Sequence, residues 1–313
     1  MNLRRAASIL VLALSAGTVF IAVFGQELGP LPAKLIVLFG LLAASVLAVR
    51  FRLAWLRFPI LLISVGYLGF YEGSCLCPNG SMQNIALAAG NSTLAKAGIY
   101  VLEIGVLFAV ILLFGNIYCG WVCHKGGIQE FLFRRSRGLR LPERLDRNLR
   151  LLRYPLLVLI LAYPVLKGEK IFNKIDPFKV LFNLAGPTPI LIFLGLVLLA
   201  SIFIYRPYCR YICPFGAAAG ILNSLGFVRM GADHRCSGCG KCAKACPAGA
   251  VRIVPGRSDP VVDPGLCFSC LECVQACPRD CLERKPVPGA DAAPASIPGR
   301  FEEAEDGSVK DPV

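Results

Sequence analysis

Between Ala6 and Tyr205 the chain carries six apolar runs: Ala6–Phe24, Leu35–Val49, Phe58–Phe70, Ala97–Ile117, Leu151–Val165 and Ile190–Tyr205. Nothing in it constrains the fold more. An apolar run approaching about 20 residues either crosses a bilayer as a helix or must be buried on every side. With 56% hydrophobic residues and a mean hydropathy of +0.62, too little polar surface remains to solvate such runs in an ordinary soluble domain. The chain is therefore expected to be mainly α, with a six-helix transmembrane bundle over residues 1–228. MNLRR before the first run is similar to the start of a signal peptide, but no small-residue cleavage site follows, so the first helix is expected to be retained.

The net charge of +13 fits the same reading. Arg4 and Arg5, then Arg50, Arg52 and Arg57, then the dense set from Lys125 to Arg153 all fall on one side when spans are counted alternately. That side also holds both termini and is cytoplasmic by the positive-inside bias. The bias accounts for the arginine run, so a nucleic-acid partner is not expected. The loop Lys167–Lys179, with four lysines on the opposite side, is the discord.

The polar stretch that follows is more specific. CSGCGKCAKACP sets Cys236, Cys239, Cys242 and Cys246 in a C-x2-C-x2-C-x3-C-P run, and CFSCLECVQACP repeats it at Cys267, Cys270, Cys273 and Cys277. Bacterial ferredoxins hold two [4Fe–4S] clusters with this spacing: one loop supplies three thiolates, and the fourth cysteine of each run reaches the other cluster. Cys236, Cys239, Cys242 and Cys277 are thereby expected on one cluster, and Cys267, Cys270, Cys273 and Cys246 on the other. Zinc sites use C-x2-C pairs rather than two complete runs. Gly238 and Gly240 relieve crowding in the loop. Residues 229–284 are expected to form a small α+β ferredoxin domain, and 285–313, rich in Pro, Ala, Gly and acid, a disordered tail. Cys281 reads as a packed core thiol and His234 as a cap or a solvent-facing residue.

YCGWVCHKGG and YCRYICPFGA each follow an apolar run. Their cysteines, Cys119 with Cys123 and Cys209 with Cys213, would share one face of an α-helix. A c-type haem needs C-x-x-C-H, one residue shorter. A bis-histidine haem is excluded, because the two histidines, His124 and His234, lie in no apolar run. If the two helix ends are neighbours, four thiolates converge on a third iron–sulfur centre or another thiophilic metal; otherwise the four pack as small hydrophobes. SCLCPNGSMQ adds Cys75 and Cys77 in the loop after the third run, on the side opposite the ferredoxin domain, as a disulfide, metal ligands or a redox pair. Glu103 is the one acid well inside an expected span. It is either a functional proton carrier or the partner of a lysine such as Lys96. A bilayer's thickness, roughly 30 Å, is expected between it and the clusters. IDPFKVLFNL is expected to form a short interfacial helix.

Twin C-x3-C motifs at the ends of membrane helices, followed by a two-cluster ferredoxin module, resemble the NapH and NosR type of membrane iron–sulfur protein over residues 97–282. The resemblance implies a quinol dehydrogenase-type subunit in the bacterial cytoplasmic membrane, with both termini and the ferredoxin domain cytoplasmic. It would pass electrons between the quinone pool and a redox partner subunit, with lipid and quinone as its other partners. The twin motifs of that type read C-x3-C-P; Pro214 keeps the proline and His124 replaces it. The NosR-like flavin domain has no counterpart here, so the NapH-like form fits. The rival reading is an assembly or metal-handling protein working by copper chemistry, for which three Met and two His offer little. A ferredoxin merely anchored as a scaffold would need one helix.

Overall fold

The computed structural model describes residues 3–24, 30–73, 77–90, 97–139, 141–254 and 259–286, with backbone alone at 3–5, 19–24, 30–33 and 173. Cys75, Lys96 and the expected tail from 287 onward lie outside the described residues.

The chain is mostly helical, and each of the six apolar runs is helical over most of its length. α1 (Leu3–Phe24) and α2 (Pro30–Arg50) pack as a hairpin. α3 (Arg57–Ser64) continues as a π-helix over Val65–Tyr71. α4 (Pro78–Gly90), α5 (Gly98–Phe114), α6 (His124–Leu132), α7 (Glu143–Leu151) and α8 (Arg153–Lys167) follow. Then come α9 (Phe172–Ile175), α10 (Pro177–Asn183), α11 (Thr188–Phe203) and α12 (Pro214–Leu225). Val158 and Leu166 on α8, and Ile192 and Leu196 on α11, are exposed. Such faces suit lipid, and helices suit it because their backbone polar groups are satisfied internally.

The expectation of six spans needs correction. Among the described residues, two segments are long and apolar enough to cross a membrane, Ala54–Tyr71 and Glu143–Lys167; α10 with α11, bent by 98°, makes a third if the pair is one span. Gly115, at φ 76, halts α5 short of the expected Ile117. Segments expected outside the bundle also turn back into it. After α3 the chain re-enters as α4, which packs along α5 and α8. IDPFKVLFNL does form a helix, α10, with Asp176 accepting from Phe178 N at 3.2 Å as its cap and Pro177 in the first turn. Phe178, Val180 and Phe182 on it are buried in the bundle.

The polar domain is built on two antiparallel pairs, β1 (Val228–Ala232) with β4 (Leu282–Pro286) and β2 (Val251–Arg252) with β3 (Val261–Val262). Two short helices, α13 (Lys241–Ala245) and α14 (Glu272–Gln275), complete it. It caps one end of the bundle. Phe227 N donates to Leu112 O at 2.9 Å, and Arg52 pairs with Asp280 at 2.7 Å. Arg135 reaches Glu272 at 3.5 Å, and Arg210 donates to Ala248 O at 2.6 Å. Basic residues that charge bias alone would explain therefore also fasten the domain in place.

Candidate functional site

In the ferredoxin domain, Cys236, Cys239 and Cys242 of the first repeat and Cys277 of the second line one space of about 350 Å³. Gly238 (φ 65) and Gly240 (φ 70) turn the loop through left-handed backbone. The second repeat has Ser269 (φ 53) and Leu271 (φ 64) at the matching places, where an L side chain costs roughly 1–2 kcal/mol. Burial pushes the Cys273 thiol up, and Cys267, Cys270 and Cys246, with Cys242 of the other expected set, push it further, so both sets lie within electrostatic reach of Cys273. Cys281, expected as a packed core thiol, is buried but lies 3.3 Å from Cys277 Sγ and lines the first space. His234 is exposed.

The twin motifs are a structural repeat as well as a sequence repeat. Tyr118–Val122 and Tyr208–Ile212 are π-turns, ended by Cys123 (φ −64, ψ 108) and Cys213 (φ −65, ψ 116). Those cysteines then cap the N-termini of α6 and α12. The expected shared α-helical face is thus corrected: the first cysteine of each pair rides a π-turn and the second opens the next helix. Pro214 suits a first helical position because its missing N–H would have no partner there. His124 takes the same position in the first copy, so the departure from C-x3-C-P leaves the backbone alike. Its imidazole packs on Phe182 at 5.2 Å, and burial with Lys125 pushes it down to about 3, leaving it neutral.

Cys119, Cys123, Cys209 and Cys213 line a single space of about 680 Å³, partly open to solvent, and Cys77 lines it too. Cys77 was expected on the side away from the ferredoxin domain; the re-entry of α4 brings it beside the twin motifs, under residues of that domain. Asn79 Nδ2 lies 3.8 Å from Cys77 Sγ and 3.5 Å from Cys213 Sγ, and its Oδ1 accepts from Phe215 N at 2.7 Å. Gln129 Nε2 donates to Cys209 Sγ at 3.2 Å. Among the described residues no three His, Cys, Asp or Glu are set to hold a single metal ion; the thiols surround a space instead.

The charges around that space are unbalanced. Arg57 and Arg206 are buried, and both bind Glu130; Arg206 Nε donates to it at 3.0 Å. Arg206 also donates to Cys119 O, and Arg57 to Gly120 O at 3.0 Å. Arg57 also reaches Glu272 at 4.0 Å, so the surplus sits on Arg153, which lines the space, is buried and donates to neutral acceptors, Gly216 O at 3.4 Å and Tyr154 Oη at 3.3 Å. Buried positive charge is costly without a counter-charge. Thiolates, or an anionic centre bound by them, supply that counter-charge, so the donor set fits an iron–sulfur group. Lys125 and Asp176 form a separate buried pair. Burial opposes the Lys125 charge, but Asp176 and Cys77 outweigh it and hold the ammonium above the usual lysine range.

A tight seam joins this pocket to the ferredoxin domain. A Cβ on Gly120 would stand 1.9 Å from Phe268 O, so only glycine lets the two backbones meet. Trp121 Nε1 donates to Ser269 O at 2.9 Å, and the Arg206 guanidinium stacks 5.3 Å from the Phe268 ring. Phe268 and Ser269 lie between Cys267 and Cys270. Glu103, for its part, is buried and accepts from Ser81 Oγ at 2.7 Å. Ser81 N donates to Cys77 O at 3.1 Å, which puts Glu103 about one helical turn from the pocket rather than across a bilayer from the thiols. Lys125, Asn79, Arg57 and Arg206 carried no motif that would have marked them. Cys77 did carry one, the C-P-x-G that recurs at Cys213.

The model of a 4Fe–4S dicluster domain matches residues 235–281, and that of a 4Fe–4S binding domain matches twice, at 99–142 and 186–230. The second model thus falls on both twin motifs. An uncharacterized protein of Methanocaldococcus jannaschii is 28% identical over 223 residues, 69% of this chain and 89% of that protein. The ferredoxin-type protein NapH of Haemophilus influenzae is 30% identical over 193 residues, 57% of this chain and 63% of NapH. The methylamine utilization ferredoxin-type protein MauN of Paracoccus denitrificans is 31% identical over 192 residues, 57% of this chain and 65% of MauN. The chain thus spans just under two thirds of either ferredoxin-type relative. No solved structure matches.

Proposed function

From its place among the homologues of NapH and MauN, and of NirI and NosR, we propose that this 4Fe–4S electron-transport protein is a membrane-embedded, multi-pass carrier moving electrons between quinol and a redox partner. The observation that carries the reading is the seam at Gly120, which sets a pocket of buried thiols directly against the loop of Cys267 and Cys270. In this reading Cys236, Cys239, Cys242 and Cys277 hold one cluster, Cys267, Cys270, Cys273 and Cys246 a second, and the twin motifs a third. When bound, such clusters supply one-electron redox chemistry.

The chain's own residues do the rest. Arg57 and Arg206 hold positive charge beside the pocket and the second thiol set. Gly120 and Trp121 keep the two sites in backbone contact. Oxidation of a quinol releases two electrons and two protons; Glu103 accepts one proton, with Ser81 fixing one carboxylate oxygen while the other has no hydrogen-bond partner among the described residues. The supposed partner Lys96 lies outside the described residues. The basic residues around the ferredoxin domain support a cytoplasmic position for that domain.

The test is steady-state reduction of the iron–sulfur signals by a short-chain quinol in detergent, wild type against Glu103→Gln, across pH. The variant keeps the shape and loses the proton site, so at least a tenfold slower rate is expected, with wild-type iron content. An undiminished rate at every pH removes Glu103 from the proton route, and no reduction by quinol in the wild type removes the quinone link.

A further inference from the structure

Three helices of this fold begin on a cysteine. α4 follows Cys77 as Pro78-Asn79-Gly80, α6 follows Cys123 as His124-Lys125-Gly126, and α12 follows Cys213 as Pro214-Phe215-Gly216. In each, the cysteine carbonyl takes a first helical hydrogen bond: Ser81 N at 3.1 Å on Cys77 O, Gly127 N at 2.8 Å on Cys123 O, Ala217 N at 3.2 Å on Cys213 O. α4 and α6 also share a buried glutamine six residues after the cysteine, Gln83 and Gln129. α4 is thus a third copy of the half-motif at Cys123 and Cys213, carried on a segment that no twin-motif match includes.

The three copies converge. Cys77, Cys123 and Cys213 line the same space as Cys119 and Cys209. Asn79, 1% exposed, reaches both Cys77 and Cys213 and fixes α4 to α12 through Phe215 N. Each helix N-terminus carries partial positive charge, and at α12 Gly216 N donates to Cys213 Sγ at 3.4 Å. The buried Lys125 ammonium, paired with Asp176, lines the same space as Cys77. Three helix ends, five thiols and a lysine around one space make a built site for an anionic, sulfur-bound group.

Resting on the third centre assigned above to the twin motifs, we propose that Cys77 is a ligand of that centre, which is an iron–sulfur site of five thiols seated on three helix N-termini. Four thiolates complete a cubane, so ligation by Cys77 as well requires one iron to carry two thiolates, which distinguishes this centre from the two of the ferredoxin domain.

Full-length wild type, Cys119→Ser, Cys77→Ser and Cys77→Ala are purified anaerobically, iron is counted per chain, and EPR is recorded at stepped potentials. The ferredoxin signals report folding in every sample. About twelve iron are expected in the wild type, as three four-iron sets, and a shifted third signal in Cys119→Ser, which leaves four thiols at the site. Cys77→Ser, which replaces sulfur by oxygen at nearly constant size, is expected to shift the g-values and midpoint of the third signal. Cys77→Ala is expected to lower the iron of that centre at least twofold. A third signal unchanged in both Cys77 variants, yet shifted in Cys119→Ser, overturns Cys77 as a ligand and leaves the third centre standing. About eight iron and no third signal in the wild type overturn the centre, and this inference with it. A check independent of any variant is iodoacetamide labelling of wild-type Cys77 before and after iron chelation: labelling only after chelation supports ligation, and equal labelling overturns it.

Discussion

In the ferredoxin domain, three thiols of each set arrive from seven consecutive residues, Cys236–Cys242 and Cys267–Cys273, folded by left-handed backbone within the loop. In the bundle, the five thiols of the pocket come from residues 77, 119, 123, 209 and 213, on segments that meet only through helix packing. The first kind of site is a property of a short loop and the second a property of the bundle. Damage to the interhelical network should therefore empty the pocket and spare the ferredoxin domain.

The most severe test is Glu130→Gln, which removes the carboxylate that Arg57 and Arg206 share. Unpairing buried charges costs on the order of 3–5 kcal/mol, so the thermal midpoint should drop steeply and the pocket's iron should be lost. The ferredoxin EPR signals should persist. Equal loss at both sites would erase the distinction drawn between them.

Gly120→Ala probes the seam instead. The new Cβ would meet Phe268 O at 1.9 Å, a backbone atom that cannot swing aside, and overpacking of this kind costs typically 1–3 kcal/mol. Iron content should hold while electron passage from pocket to ferredoxin domain, followed by rapid mixing and freeze-quench EPR, slows at least tenfold. A wild-type rate would place the route elsewhere.

The smallest effect has the opposite sign. Ser269→Gly restores in the second repeat the residue type that Gly238 supplies in the first, at φ 53. Relief of left-handed strain, set against the added freedom of the unfolded chain, should raise stability by about 0.5–1 kcal/mol. It would be read from the denaturant midpoint of the ferredoxin signals. A loss of stability would show that the two repeats bear the turn by different means.

The same contrast explains what could be read in advance. Spacing made the ferredoxin domain legible, because C-x2-C-x2-C is a statement about a few consecutive φ and ψ angles. The apolar runs marked nearly all the long helices, because periodicity and length are local as well. α4 escaped, since PNGSMQNIALAAG is too short and too polar to announce a span. The gathering of Cys119 with Cys209 was conditional on two helix ends being neighbours, and sequence spacing alone left that open.

The sequence by itself determined the six apolar helical segments, the eight-cysteine pattern and the duplicated Tyr-Cys-x3-Cys motif, each of which depends on residues within a few turns of chain. Only the tertiary structure decided that Cys77 stands with the twin motifs and that Glu103 lies a turn away. It also decided that Arg57 and Arg206 share Glu130 and that Gly120 touches Phe268. Alternate counting of spans assumes that every apolar helix crosses and every loop stays outside. A helix that re-enters breaks that count, and only the packing of α4 between α5 and α8 shows where Cys77, the residue before it, lies.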